Sequence, residues 1–179
     1  SPLSALAAAK MGASALYISG GATTNELLGV PDIALIGLEE LSGVARRITQ
    51  VVQVPVISDA DTGFGDGWNV ARTVIEMEQA GLAGIHLEDQ VSPKRCGHLA
   101  GKDVIEADRM AAKIRAAVDA RQDDSFLIIA RTDARAIEGV QGAADRANRY
   151  VDAGADVIFP EGLRSEEEFG EIRAKVKAP

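Results

Sequence analysis

The only cysteine of the chain, Cys96, lies within the run Lys-Arg-Cys-Gly-His at residues 94–98. A free cysteine usually behaves as a small buried hydrophobe, so a lone thiol among three basic side chains is unusual. Nearby positive charge favours the thiolate, which is the reactive form of the side chain. The run comes shortly after Glu88 and Asp89, which end an apolar segment. The pattern predicts acid–base chemistry on a metal-bound substrate, and its alternative is an incidental surface thiol.

Carboxylates end two successive apolar segments. Asp59 and Asp61 are two residues apart, so an extended chain directs both to one face, and Glu88 ends the next segment. Three such carboxylates form a hard oxygen site. Mg²⁺ suits it because this ion accepts a few carboxylates and leaves room for substrate oxygens. The alternative is a pair of turn-forming aspartates, but the repetition on the next segment favours the metal site.

Three further polar residues lie at segment ends. Arg131 follows Leu127–Ala130, and a buried guanidinium there would be costly without a partner. Its partner is either a substrate carboxylate or a neighbouring structural Asp or Glu, and both alternatives remain open. Glu161 adds another inward carboxylate. His86 is interpreted first as a hydrogen-bonded interior histidine, with a supporting role behind Glu88 as the alternative.

A Gly-Gly turn follows the first apolar segment, at Ser19-Gly20-Gly21. Its backbone N–H groups could cradle a carboxylate. The pattern by itself does not distinguish a binding turn from an ordinary one. The acidic run Glu166–Glu168 is interpreted as the solvated first turn of a helix, and no function is assigned to it.

Five short apolar segments predict a parallel sheet. The predicted strands are 15–19, 54–59, 84–88, 126–131 and 156–159, and their near-continuous apolar character is typical of strands buried on both faces. Similar glycines precede three of them, Gly12, Gly81 and Gly154, and each suits the left-handed residue that ends a helix.

Helices are predicted between the strands. They cover about 69–80 with Asn69 as cap, 108–120 and 143–153. Their inward residues are Val70, Val74 and Met77 in the first, and Met110, Ile114, Ala117 and Val118 in the second. Alternation of strands and helices indicates parallel pairing with right-handed crossovers.

The fold class is α/β, and two architectures fit: a (β/α)8 barrel and a doubly wound open sheet. Polar residues two apart end four strands, as the pairs Tyr17/Ser19, Asp59/Asp61, His86/Glu88 and Arg131/Asp133. Barrel enzymes place their sites at the carboxyl ends of the strands, whereas dinucleotide-binding sheets concentrate their signal in one glycine-rich turn. The barrel is therefore favoured. With 179 residues, against about 250 in a typical barrel, we expect a fragment of about five of the eight β/α units.

Composition predicts a single domain over residues 1–179 and excludes some partners. The chain is 46% hydrophobic with a net charge of −8. An acidic protein repels nucleic acid and anionic membranes, so neither is an expected partner. One cysteine allows no internal disulfide, which fits a cytoplasmic setting.

These motifs together resemble the isocitrate lyase / phosphoenolpyruvate mutase superfamily. The resemblance rests on Asp-Ala-Asp-Thr-Gly-Phe-Gly at 59–65, His-Leu-Glu-Asp-Gln at 86–90, the run at 94–98 and Ala-Arg-Thr-Asp at 130–133. It covers almost the whole chain and is closest to the 2-methylisocitrate lyase branch. The pattern of that branch is also matched in this sequence by Tyr17, Ser19–Gly21 and residues 29–32.

The resemblance implies a role for each motif residue. Mg²⁺, or Mn²⁺ in its place, would be held by Asp59, Asp61 and Glu88, the last directly or through water. Substrate would contact Ser19, Gly20, Gly21, Asp32, Gly97, Arg131 and Glu161. The catalytic group would be Cys96, Lys94, His98 and Tyr17, with Cys96 exchanging a proton on the succinate-forming carbon. Gly97 and Gly101 would let this segment close over substrate as a lid.

The implied activity is Mg²⁺-dependent retro-aldol cleavage of a small 2-hydroxy di- or tricarboxylate, such as 2-methylisocitrate, into pyruvate and succinate. The alternatives are a 2,3-dimethylmalate lyase, a phosphoenolpyruvate mutase or oxaloacetate decarboxylase type of relative, and a truncated non-catalytic chain that binds ligand or oligomerises. The resemblance also implies a homo-oligomer, a tetramer. The first strand and those after Glu161 are expected to lie outside the chain.

Overall fold

The computed structural model describes residues 1–97 and 99–179. Helices and strands alternate along most of this part of the chain. In order, the elements are α1 (Pro2–Lys10), β1 (Leu16–Ile18), α2 (Gly20–Leu28), α3 (Leu38–Thr49), β2 (Val56–Asp59), α4 (Gly67–Gln79), β3 (Gly84–Glu88), α5 (Ala107–Ala120), β4 (Leu127–Thr132), α6 (Arg135–Asp152), β5 (Val157–Pro160) and α7 (Glu166–Lys175).

The five strands form one parallel sheet in the order β1-β2-β3-β4-β5. Each strand lies beside its neighbour in the sequence, with at least one helix between them. A doubly wound sheet reverses its strand order at a switch point, and this sheet does not. The prediction of a barrel-type α/β architecture over the same five strands is therefore confirmed, with no strand end shifted by more than two residues.

Register places the polar strand residues on one face of the sheet. Asp59 lies beside His86, Glu88 beside Arg131, and Arg131 beside Phe159. Tyr17 pairs with Ile57, two residues before Asp59, and so shares that face. This is the face that a closed barrel would turn inward, and the functional side chains gather at its carboxyl-terminal edge.

The opposite face carries the hydrophobic core. Val56, Ile85, Leu87, Ile128 and Ala130 of the strands are almost wholly buried. They belong to one apolar cluster with helix residues Val70, Val74, Met77, Met110, Ile114 and Ala117, all of them predicted to face inward. Val118, also predicted inward, is only partly buried and lies at the margin of this cluster.

Glycines end three helices in the predicted way. Gly12, Gly81 and Gly154 follow α1, α4 and α6 with φ of 96°, 84° and 106°. These angles lie in the region that L-residues with a Cβ adopt only at a cost, so the internal repeat reflects one recurring helix-to-strand turn.

Two helices begin earlier than predicted. Asp66, not Asn69, is the residue before α4, and its carbonyl accepts hydrogen bonds from the backbone N–H groups of Asn69 and Val70. Helix α6 begins at Arg135 and contains a break at Gly139, with φ of 76° and ψ of −179°. The break separates a first turn from the rest of the helix. Only the part after the break has the regular periodicity from which a start at Ala143 was predicted.

Helix α7 begins at Glu166 as predicted, capped by the Ser165 side chain, with its three glutamates in the first turn. One of them, Glu168, also pairs with Arg135. Within the described ranges, none of the helices combines the length and apolarity needed to span a membrane.

Candidate active site

A pocket of ≈ 230 Å³ opens at the carboxyl ends of the strands. It brings together most of the residues proposed from sequence, although they come from six different regions of the chain. Its lining comprises Tyr17, Ser19, Gly21, Asp32, Asp59, Lys94, Cys96, Gly97, Arg131, Glu161 and, in addition, Phe159. Acidic, basic and thiol groups thus converge on one cavity, as a catalytic site requires.

Asp59, Asp61 and Glu88 are buried beside or beneath this pocket. The turn after β2 brings the first two together, since the backbone N–H of Asp61 donates to Asp59 Oδ1 at 2.8 Å. Glu88 approaches Arg131, with 3.3 Å between its Oε2 and the arginine Nε. Among the described residues, however, no three His, Cys, Asp or Glu side chains converge closely enough to form a preassembled metal cage.

Lys94 lies between two of the carboxylates near the pocket. Its Nζ lies 2.7 Å from Asp61 Oδ1 and 2.8 Å from Asp32 Oδ1, and the side chain is only 2% exposed. The ammonium therefore bridges the turn after β2 to the loop that carries Asp32. Sequence reasoning placed Lys94 in the catalytic segment but did not foresee that it would neutralise a proposed metal ligand.

The donor set nevertheless fits a divalent cation. Both carboxylate oxygens of Glu88 are buried and accept no hydrogen bond, and the buried Asp61 Oδ1 meets only the Lys94 ammonium, at 2.7 Å. Burial and the nearby Asp59 raise the pKa of Asp61 to about 6, and burial raises the pKa of Glu88 well above its usual range. Burial thus disfavours the ionised forms of both carboxyls in spite of Lys94 and Arg131 nearby, and an oxygen-preferring cation would stabilise those forms.

The charges around the pocket support the same conclusion. Carboxylates outnumber cations in its described part. The carboxylates are Asp32, Asp59, Asp61, Glu88, Asp133 and Glu161, and the cations that pair with them are Lys94, Lys102 and Arg131.

Tyr17 pairs with the buried His86. The Tyr17 hydroxyl lies 2.6 Å from His86 Nε2, and that nitrogen is 3.6 Å from Asp59 Oδ1. Burial lowers the pKa of His86 and, with Asp59, raises the pKa of Tyr17 above its ordinary value. At neutral pH the tyrosine therefore keeps its proton. The interpretation of His86 as a hydrogen-bonded interior histidine agrees with this geometry.

Arg131 is the cationic centre of the other side of the pocket. Its guanidinium pairs with Asp133 at 3.0 Å, Glu88 at 3.3 Å and Glu161 at 3.5 Å. The ring of Phe159 lies beneath it, with 5.4 Å from Cζ to the ring centroid. The predicted structural ion pair is thus present, and Arg131 still lines the cavity where an anionic ligand would meet it.

Cys96 is a partly buried free thiol at the rim of the pocket. Its backbone N–H donates to the Asp32 carbonyl at 3.1 Å. The preceding residue is held from the loop after β3, because the Gln90 side chain donates to the Arg95 carbonyl and accepts from the Arg95 N–H. His98, proposed as a fourth catalytic residue, lies outside the described residues.

Gly97 touches the opposite wall of the pocket. A Cβ on Gly97 would lie 2.6 Å from Glu161 Cδ and 2.7 Å from Arg131 Nη2. Only a glycine fits so close an approach without displacing one of these side chains. The Cys96 segment, defined here as Lys94–Gly97, is therefore seated directly against the Arg131–Glu161 pair.

The Gly-Gly turn after β1 is the first turn of helix α2. Ser19 caps the helix by accepting from the Ala22 N–H, and the Gly20 N–H donates to Asp59 Oδ2 at 3.3 Å. A Cβ on Gly20 would lie 2.7 Å from that same oxygen. The turn does cradle a carboxylate, but in this structure it is the protein's own Asp59. Ser19 and Gly21 line the pocket beside it.

Sequence reasoning missed the residues that support the site from behind. Phe159, Lys102 and Asp89 were assigned no role. Phe159 points to the face of the sheet opposite the core, as its neighbour Arg131 does. The alternation of side chains along the strand could therefore have assigned it to the site. Lys102 and Asp89 left no such signal, because their partners are 31 and 61 residues away.

Comparison with known proteins extends these observations. The family model described as phosphoenolpyruvate phosphomutase matches residues 1–179. A 2-methylisocitrate lyase of Aeropyrum pernix is 57% identical over 178 residues, which are 99% of this chain but 57% of that protein. The chain thus spans a little over half the length of this relative.

Solved structures agree with the fold. A crystal structure of 2,3-dimethylmalate lyase superposes with a TM-score of 0.95 at 40% identity, covering 98% of this chain and 60% of that one. A phosphonopyruvate hydrolase solved with oxalate and Mg²⁺ superposes with a TM-score of 0.88 at 30% identity, covering 99% and 62%.

Proposed function

Because the chain belongs to the phosphoenolpyruvate phosphomutase family, we propose that its protein is a lyase that cleaves a carbon–carbon bond in a small 2-hydroxy di- or tricarboxylate. The proposed substrate is 2-methylisocitrate, and the products are pyruvate and succinate. The observation that carries the proposal is the single pocket in which Asp59, Arg131 and Cys96 meet. The 57% identity with a 2-methylisocitrate lyase supports it.

Substrate binding follows from the charges of the pocket. Arg131 and Lys94 are fixed cations on opposite walls, and each can attract a substrate carboxylate. The N–H groups at the start of α2, with Ser19 and Gly21 beside them, add donors of the kind that anions find at helix N-termini. Asp32 pairs with Lys94 and Glu161 pairs with Arg131. These carboxylates hold the two cations in place and complete the walls of the substrate pocket.

Asp59, Asp61 and Glu88 would hold Mg²⁺, or Mn²⁺ in its place. When bound, the ion polarises the substrate hydroxyl and carboxylate and stabilises the α-keto acid product. The buried carboxylate oxygens of Glu88, which accept no hydrogen bond, support this assignment. So does the family relationship to a hydrolase solved with Mg²⁺ and oxalate.

Cys96 supplies the proton that the reaction needs. As the bond breaks, the hydroxyl proton is lost and the electron pair of the C–C bond passes to the succinate-forming carbon. That carbon takes the proton of Cys96 Sγ, and the resulting thiolate is reprotonated by the proton released from the hydroxyl, through solvent. Tyr17 keeps its hydroxyl proton and presents it beside His86, where it orients substrate oxygens. Lys94 and His98 would assist from the same segment.

A second substrate is favoured by a specific observation. The structure of 2,3-dimethylmalate lyase superposes with a TM-score of 0.95. Its substrate is also a branched 2-hydroxy acid, so the same pocket chemistry would apply. We keep 2,3-dimethylmalate as the second candidate.

The test is pyruvate release by the complete natural protein from 2-methylisocitrate, 2,3-dimethylmalate and oxaloacetate, each with Mg²⁺ and with a chelator. We expect Mg²⁺-dependent pyruvate formation from 2-methylisocitrate to exceed that from the other two. Faster reaction with 2,3-dimethylmalate would favour the second candidate. Absence of cleavage of any hydroxy acid, together with binding of Mg²⁺ and pyruvate in calorimetry, would favour a chain that only binds ligand.

A further inference from the structure

Lys102 lies outside the groups assigned to the proposed reaction, yet it contacts two of their neighbours. We propose that Lys102 is a positioning residue that latches the Cys96 segment against Arg131. The proposal rests on the proposed function and deepens it, because it assigns the placement of the proton donor to a side chain that does not touch substrate.

Lys102 bonds both sides of the pocket at once. Its Nζ donates to the Gly97 carbonyl at 2.6 Å and to Asp133 Oδ1 at 2.8 Å. The side chain is only 8% exposed, so both bonds are shielded from water and are stronger than equivalent surface contacts. The first bond reaches the residue after Cys96, and the second reaches the end of β4.

Asp133 connects this lysine to the substrate-facing arginine. The Asp133 carboxylate is fully buried and accepts from Arg131 Nε at 3.0 Å and Nη2 at 3.2 Å, in addition to Lys102. Its backbone N–H is held in turn by Asp89 Oδ1 at 2.9 Å. The carboxylate is thus a fixed point shared by two cations, and Lys102 ties the Cys96 segment to it.

The seat of Gly97 shows why such a latch would matter. The backbone of Gly97 lies against Glu161 and Arg131 with no room for a Cβ. The Gly97 carbonyl accepts its side-chain hydrogen bond from Lys102. Without this bond, the segment would keep its polar contacts to Asp32, Asp61 and Gln90 through Lys94, Arg95 and the Cys96 N–H, but would lose the one that holds Gly97. Cys96 would then be less well held over the pocket.

The first experiment needs no substrate. The rate of alkylation of Cys96 by iodoacetamide, followed by mass spectrometry of the peptide that contains it, reports how firmly the segment is seated. We expect Lys102→Met to accelerate alkylation about tenfold, which corresponds to about 1.4 kcal/mol. Lys102→Arg, which keeps a cationic donor, should stay near the natural rate. Lys177→Met removes an exposed lysine, 67% exposed and paired with Asp152, and should change nothing.

The second experiment separates positioning from general stability. In the natural protein with an active substrate, Lys102→Met should lower kcat about tenfold and change KM by less than about twofold, because Arg131 and Lys94 remain to bind substrate. Lys102→Arg should restore most of kcat. If Lys102→Met does not fold, Lys102→Gln keeps a shorter neutral donor and should give an intermediate alkylation rate.

Equal alkylation rates in the natural protein and in the folded Lys102→Met or Lys102→Gln variant would overturn the latch. A fall in kcat that Lys102→Arg fails to restore would also overturn it. If the natural protein cleaves no candidate substrate, the proposed function fails while the alkylation result still decides the latch, so the two failures are distinguishable.

Discussion

At the scale of single residues, the surroundings of Cys96 support one specific chemical role for its thiol. The thiol lines the same cavity as Arg131 and Asp59 and is only partly buried. It therefore faces the space that a bound hydroxy acid would fill. This location favours a proton donor over a nucleophile, since the proposed cleavage requires a proton at the carbanion and forms no bond to sulfur.

Cys96→Ser tests that role. A serine hydroxyl has nearly the same size but is a much weaker acid than a thiol, so we expect kcat to fall by about 10²–10⁴-fold. Metal binding should not change, because Cys96 is not one of the carboxylates proposed to hold the metal, Asp59, Asp61 and Glu88. Steady-state kinetics and Mg²⁺ titration by calorimetry measure the two effects. Near-normal turnover by Cys96→Ser would show that the proton comes from another group.

The carboxylates behind the pocket make a separate prediction. Asp59→Ala should weaken Mg²⁺ or Mn²⁺ affinity by at least about tenfold, since even groups that only support metal ligands have effects of this size. Calorimetry on the purified protein measures this without turnover. The control is Asp66→Ala, which removes an exposed carboxylate paired with Arg109 outside the pocket and should leave affinity unchanged. Equal affinity in both variants would remove Asp59 from the metal site.

At the scale of elements, one buried carboxylate joins β3, β4 and α6. Asp89, fully buried after β3, accepts hydrogen bonds from Thr132 Oγ1 at 2.7 Å, the Asp133 N–H at 2.9 Å and the Tyr150 hydroxyl at 2.7 Å. Arg146 of α6 approaches it at 3.5 Å. These contacts hold the end of β4, and hence Arg131, against helix α6.

Asp89→Ala should lower the free energy of unfolding by about 3–5 kcal/mol, because it leaves the buried Thr132 hydroxyl, Asp133 N–H and Tyr150 hydroxyl without their shared acceptor. Asp89→Asn should cost less, since its amide oxygen still accepts. Urea denaturation measures both variants. Asp152→Ala is the surface control, because this carboxylate is 66% exposed and should contribute less than about 1 kcal/mol. A cost for Asp89→Ala no greater than for Asp152→Ala would contradict the role of Asp89 as a structural hub.

The ends of helices are predicted less well by local sequence patterns than their buried faces are. The buried face of α4 was predicted correctly, yet the helix begins at Gly67 and not after Asn69. The reason is tertiary, because the Asp66 side chain pairs with Arg109 at the start of α5 while its backbone carbonyl starts the helix. A capping preference read from one residue could not include a partner 43 positions away.

At the scale of the whole molecule, the sheet has two outer edges. Within residues 1–97 and 99–179, no strand pairs with the outer side of β1 or β5, apart from one bond from the Ile158 N–H to the Pro179 carbonyl. Exposed strand edges favour association with other chains. Large apolar side chains after β1, such as Leu28 and Leu35, are also 46% and 52% exposed.

We therefore expect the 179-residue chain, expressed by itself, to self-associate as its concentration rises. Sedimentation velocity across a concentration series measures this directly. If these edges are covered in the natural protein, it should show a defined oligomer instead, which we propose to be a homotetramer. A monomer at every concentration would show that the edges are protected in the isolated chain.

The sequence by itself determined the strands, their parallel order and the edge at which chemistry gathers. Continuous apolar runs mark buried strands, and alternation fixes which side chains share a face, so Asp59, His86, Glu88 and Arg131 could be grouped before any coordinates were known. The motif residues at 94–98 added the thiol. These inferences succeed because they depend on neighbours within a few positions.

Only the tertiary structure decided which charges meet. The bridge from Lys94 to Asp32 and Asp61 joins residues up to 62 positions apart. The sharing of Asp133 between Arg131 and Lys102, and the seat of Gly97 against Glu161, are equally remote from local pattern. The pairing of charged side chains across the pocket depends on the paths of the loops and on burial. Local periodicity in the sequence encodes neither of them.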